Sequence, residues 1–106
     1  MTCAGSTPRS TNLTHVFHVL TTTYTQPIDV VDQTRPAHLA WLEEEVAAGR
    51  IVLAGRLESG TGAVLITADL SEEAVEDLIA RDPYTLAGLI RCERVSFNGS
   101  FRAPGL

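Results

Sequence analysis

Hydrophobic and polar positions along the chain alternate between short β-branched or aromatic runs and longer helical stretches, with glycine and proline between them. Thr14 to Tyr24 is almost entirely β-branched or aromatic and predicts a strand. Gln26-Pro27 interrupts it, and Ile28 to Gln33 reads as a connection with at most a turn of helix. Thr34 is an N-cap candidate, and Pro36 suits the first helical turn because its missing N–H costs nothing there. That helix is expected to reach Ala48, with Gly49 as the stop. A second strand follows from Ile51 to Leu57, then a hairpin turn at Ser59-Gly60-Thr61-Gly62, then a third strand from Ala63 to Ala68. Asp69 and Ser71 compete to cap a second helix, which Asp82-Pro83 ends because a residue before proline avoids the α region. Gly88 closes a short loop, and Ile90 to Phe97 is the fourth strand.

The order β-α-β-β-α-β is that of a ferredoxin-like α+β fold: an antiparallel sheet with both helices on one face. Both faces of this sheet are apolar. In the second strand Ile51, Leu53 and Leu57 are expected to oppose Val52 and Ala54. In the third, Val64 and Ile66 oppose Ala63 and Leu65; in the first, Val16 and Leu20 oppose Phe17 and Val19. A half-exposed antiparallel sheet should instead alternate apolar with polar. Two helices cover one face, so the other calls for a second copy of the chain, and a homodimer packed sheet to sheet is expected.

Composition narrows the function classes. The 106 residues carry eight arginines and thirteen acidic residues, a net charge of −5, and the arginines are dispersed. Phosphate-backbone binding rests on clustered positive charge, so no nucleic-acid partner is expected. No apolar run is long enough to span a membrane, and the first residues lack the apolar core of a secretory signal, so a cytoplasmic location is the expectation. Residues 1–13 read as a flexible Ser/Thr-rich tail, 14–98 as one domain and 99–106 as a C-terminal tail. Cys3 and Cys92 do not make a disulfide framework.

On a helical wheel Leu39, Leu42 and Val46 form the stripe expected to face the sheet, with His38 at its rim beside Trp41 and Glu45. An imidazole there either hydrogen-bonds a backbone group at the helix edge or offers a nitrogen to a cleft as a general base. In the second helix Val75, Leu78 and Ile79 form the buried stripe, and Asp82 falls on the same face at its exit. Its carboxylate either starts the turn before Pro83 or orients an imidazole. Tyr84 is a core aromatic or a pocket hydrogen bonder. Arg35, one turn before His38, is an anion anchor or a surface ion-pair partner. His15 and His18 stand three apart in a strand, on opposite faces, and cannot share a metal; no metal site is expected. Cys92 reads as an apolar filler, Glu43-Glu44-Glu45 as a solvated helix face, and no glycine-rich phosphate loop occurs.

Two strings carry a family resemblance. Arg35-Pro36-Ala37-His38-Leu39-Ala40-Trp41-Leu42, followed by Ala48-Gly49-Arg50-Ile51-Val52-Leu53-Ala54-Gly55, resembles the central motif of the YciI-like (YCII-related) proteins. Arg81-Asp82-Pro83-Tyr84-Thr85-Leu86-Ala87-Gly88-Leu89 is similar to that family's second motif, and the resemblance runs from about Val16 to Phe97. It implies a dimeric α+β barrel and a His–Asp active site, which falls on His38 and Asp82. Relatives include a dehydrochlorinase of chlorinated hydroxyquinol, and the fold is similar to that of muconolactone isomerases and cofactor-free monooxygenases. One departure stands out: Arg56 follows the strand-two glycine where that family often has proline. An arginine directed into the cleft would favour anionic substrates.

The expected function is therefore a small enzyme without a cofactor, a lyase or isomerase and in one version a dehydrohalogenase. Its substrate would be a compact cyclic or aromatic acid, phenol or lactone. His38 and Asp82 form the acid–base pair, and Arg35, Trp41, Arg56 and Tyr84 are the substrate-binding candidates. The competing expectations are a non-catalytic dimeric small-molecule-binding or accessory protein, and a cofactor-free monooxygenase.

Overall fold

The computed structural model describes residues 15–106. The N-terminal tail expected over 1–13, with Cys3, lies outside the described residues. Strand β1 (Val16–Tyr24) is rich in β-branched and aromatic residues, which suits a strand paired on both sides. It pairs antiparallel with β3 (Gly62–Thr67) on one side and β4 (Ile90–Asn98) on the other. Strand β2 (Ile51–Arg56) pairs only with β3, giving the antiparallel order β2-β3-β1-β4. Helices α1 (Ile28–Ala47) and α2 (Glu72–Arg81) and a one-turn helix α3 (Pro83–Leu86) complete the ferredoxin-like α+β fold.

The main core joins Leu20, Ile51, Ala63 and Leu65 of the sheet to Trp41 of α1 and Val75 and Leu78 of α2. A second cluster, Val31, Tyr84 and Leu89, packs the start of α1 against α3 and the loop after it. Gly62 lets β3 and β1 approach, since a methyl there would collide with the Thr22 carbonyl oxygen. Gly49 ends α1 at φ +78°, as its place in the sequence predicts. Ser71 caps α2 by accepting the Ala74 N–H, while Asp69 accepts the Val16 N–H and ties down the start of β1.

Several local expectations need correction. Helix α1 begins at Ile28, not beyond Thr34, and carries Pro36 in its interior. Proline costs a helix one backbone bond, but Val31 becomes fully buried against Tyr84 and Leu89, and that burial offsets the loss. The buried face of α1 is Val31, His38, Trp41 and Glu45; Leu39 and Val46 are exposed. The wheel placed the leucine stripe inward by hydrophobicity alone, whereas the sheet receives the broader Trp41 ring. Glu45, expected on a solvated face, is buried because Arg50 and Arg81 both reach its carboxylate. In β2, Ile51 and Leu53 do not share a face: a bulge between them sets Ile51 opposite Thr67 and Leu53 opposite Ile66. Ile51 therefore enters the core and Leu53 is exposed on the sheet's open face. The segment after Asp82 is helical where a loop was expected, because Asp82 caps it and Pro83 takes its first position.

Candidate functional site

The site is assembled where α1 passes α3. Asp82 leaves α2 with extended backbone ahead of Pro83, and this turns its carboxylate back toward α1. One oxygen, Oδ1, accepts two hydrogen bonds: from the Tyr84 backbone N–H at 2.9 Å and from His38 Nδ1 at 2.8 Å. Both side chains are buried, with His38 6 % and Asp82 3 % exposed. A carboxylate only accepts, so Nδ1 carries the hydrogen and the lone pair of a neutral imidazole resides on Nε2. Among the described residues Nε2 makes no hydrogen bond. The imidazole is clamped flat against the Tyr84 ring, with centroids 3.9 Å apart and planes 10° from parallel.

In front of His38 lies a cleft of about 210 Å³. Arg35, His38, Leu39 and Leu42 of α1 form one wall, and Ala54, Gly55 and Arg56 of β2 another. Tyr24 and Tyr84 close it on the side toward α3. Of the sequence candidates, Arg35, His38, Arg56 and Tyr84 are thus brought together, and Asp82 stands directly behind His38. Trp41 is not a lining residue. Its ring belongs to the core, 5.7 Å from the imidazole.

Arg56 is held in position from two sides. Its Nη2 donates to Asp32 Oδ1 at 2.6 Å and its Nε to the Tyr24 hydroxyl oxygen at 2.9 Å. The Asp32 hydrogen bond, with that to Tyr24, raises its pKa far above the ordinary arginine value, so the guanidinium stays charged. Burial pushes the Tyr84 phenol up, so it stays protonated at neutral pH and available as a donor. Tyr24 was missed by the sequence reading. Its signal was faint: a polar-tipped aromatic at the end of the central strand, in step with Leu20 and Thr22 on the helix-covered face.

The remaining histidines have other tasks. His18 is buried and uses both ring nitrogens, Nδ1 with the Ser96 hydroxyl and Nε2 with the Leu70 carbonyl, each at 2.8 Å. His15 lies 3.4 Å from Asp69 at the surface. Burial raises the Cys92 thiol pKa, which disfavours the nucleophilic thiolate. Among the described residues no group of three or more His, Cys, Asp and Glu is placed to hold a metal ion.

Comparison with known proteins adds an independent line. A family model described as the YCII-related domain matches residues 16–96. A 12 kDa protein of Mycolicibacterium smegmatis is 71 % identical over 24 residues, 23 % of this chain and 100 % of that sequence. The fold is similar to that of 5-chloro-2-hydroxyhydroquinone dehydrochlorinase (TftG) from Burkholderia phenoliruptrix AC1100, solved in complex with 2,5-dihydroxybenzoquinone. The TM-score is 0.64 at 25 % identity, covering 77 % of this chain and 92 % of that one.

Proposed function

The chain belongs to the YCII-related domain family, and from that membership and the geometry above we propose that it is a small acid–base enzyme acting on a compact ring compound at the cleft before His38. The observation that carries this reading is the oriented imidazole: Nδ1 donating to a buried carboxylate 2.8 Å away, with Nε2 left for the cleft. His38 Nε2 removes a proton from the substrate. The imidazolium that results is stabilised by Asp82, whose own position is fixed by the Tyr84 N–H. In a dehydrohalogenation, the proton passes to Nε2 while the carbon–halogen bond breaks and its electron pair leaves with the halide. In an isomerisation, the same imidazolium returns the proton at another carbon. The dehydrochlorinase similar in fold supports the first version. The cleft volume lies below the usual range of about 300–1,000 Å³ for ligand sites, which suits a single ring with few substituents.

We also propose a homodimer. The sheet face away from the helices exposes Leu53, Val95 and Phe97, 64 %, 63 % and 46 % accessible, beside Phe17 and Ile66. A second copy laid on that face removes the whole patch from water.

The test is proton transfer itself. With 5-chloro-2-hydroxyhydroquinone as substrate, chloride release is expected from the native protein and should fall about 10²–10⁴-fold in His38→Gln. Equal rates in the two proteins would overturn the catalytic role of His38. Should a panel of chlorinated and unsaturated cyclic acids give neither halide release nor deuterium exchange from solvent, the cleft is a binding site without turnover.

A further inference from the structure

We propose that Tyr24 and Arg56 form a prearranged pair of donors that receives a single anionic oxygen, a phenolate or enolate, of the ring compound held before His38. The proposal rests on the reading of this cleft as a substrate site and specifies the chemistry of its far wall. Arg56 stands beside Gly55 on edge strand β2 and Tyr24 ends β1, and both line the cleft. Their mutual bond spends the lone-pair side of the Tyr24 hydroxyl, which accepts from Arg56 Nε. A phenol has one hydrogen to donate, and among the described residues that of Tyr24 has no acceptor. It remains for a ligand.

The guanidinium is committed in the same selective way. Nε is taken by Tyr24 and one Nη2 hydrogen by Asp32, so the Nε–Nη2 fork, on which arginine grips a carboxylate, can no longer do so. Nη2, the nitrogen that flanks the Nε–H, keeps its second hydrogen. That hydrogen together with the Tyr24 hydroxyl makes two donors from two side chains, a geometry for one oxygen rather than for a flat pair. Tyr84 reinforces it. The residue is 2 % exposed, it lines the same cleft, and its hydroxyl lies close enough to Arg56 for the guanidinium to pull its pKa down against the larger effect of burial. Asp32 holds Arg56 by an ion pair at 2.6 Å, and the Tyr24 ring is fixed edge-on to Tyr84 with centroids 6.0 Å apart. The donors are therefore in place before a ligand arrives, and little is lost in ordering them. With the anionic oxygen at this wall and Nε2 of His38 at the other, charge that develops on the ring during proton removal is delocalised onto an oxygen already hydrogen-bonded.

The probe is 4-nitrophenol, whose anion is yellow and whose neutral form is not. Near the pH where the free probe is half ionised, the native protein is expected to turn the bound fraction yellow. The same protein should bind 4-nitrobenzoate at least about tenfold more weakly. Tyr24→Phe keeps the ring against Tyr84 and loses only the hydroxyl; Arg56→Met loses the charge. Each is expected to weaken nitrophenolate binding by about tenfold or more, the size of a charged hydrogen bond. Unaltered melting temperatures check that both variants are folded. Binding of the neutral probe, absence of binding, equal affinity for 4-nitrobenzoate, or unchanged affinity in both variants would each overturn the proposal. Because the readout is equilibrium binding, it separates from the function proposed above. A protein that binds nitrophenolate through Tyr24 and Arg56 yet gives no turnover keeps this inference and loses that one.

Discussion

At the residue scale the informative atom is Asp82 Oδ1, which takes both the His38 Nδ1–H and the Tyr84 N–H. An asparagine in its place can present an oxygen to both donors, so the geometry survives and only the charge is removed. Asp82→Asn is therefore expected to fold with little loss of stability but to transfer protons on the order of 10²–10⁴-fold more slowly, because the imidazolium loses its counter-charge. Urea melts and chloride release on the same preparations check the two halves. An equal loss of stability and activity would make Asp82 a structural cap of α3 and nothing more.

At the scale of elements, Glu45 ties three parts of the chain together. Arg50, just beyond α1, donates to its carboxylate at 2.6 and 3.2 Å, and Arg81, at the end of α2, donates at 3.0 Å. The Arg50 hydrogen bonds are the main reason that the carboxyl pKa lies below the usual range; Arg81 adds to them and burial opposes both. A carboxyl lowered by folding adds stability that is fully present above its unfolded value of about 4.3 and is lost as pH falls through the lower folded value. Glu45→Gln should thus be less stable at neutral pH by about 1–3 kcal/mol, the cost of charged hydrogen bonds between partly exposed partners. The gap should close in acid. Denaturant titrations of both proteins across that pH range measure it, and a gap independent of pH would show that the charge of Glu45 contributes nothing.

At the scale of the whole molecule, the one-sided placement of the helices leaves the open sheet face to association. Leu53, put on that face by the β2 bulge, is the most exposed of its large apolar strand residues. The native protein is expected to scatter light as a dimer that buries roughly 1,200 Å² or more in total. Leu53→Asp, which sets a charge within the apolar patch proposed as the interface, should run as a monomer with its α+β circular dichroism retained. A native monomer at micromolar concentration would remove the basis for the sheet-to-sheet assembly.

Much of this architecture was legible along the chain, since local chemistry decides it. The β-branched runs, the turn glycines and the Pro83 stop define a βαββαβ order, and the apolar residues on both sides of each strand show a sheet with two faces to cover. The strings around His38 and Asp82 contain the two side chains that the fold sets 2.8 Å apart, although 43 residues of chain lie between them. Tertiary structure decided the rest. Which face of α1 is inward depended on how the Trp41 ring and the Glu45–arginine contacts fit the sheet, and periodicity reports hydrophobicity without shape or ion pairing. The early start of α1 came from a pocket for Val31 built by Tyr84 and Leu89, more than fifty residues away. The bulge that parts Ile51 from Leu53 is a register shift against β3, which one strand's own pattern does not encode. Tyr24 enters the cleft for the same reason: it lies at a strand end, and only the packing of α3 and β2 around it makes a strand end into the wall of a site.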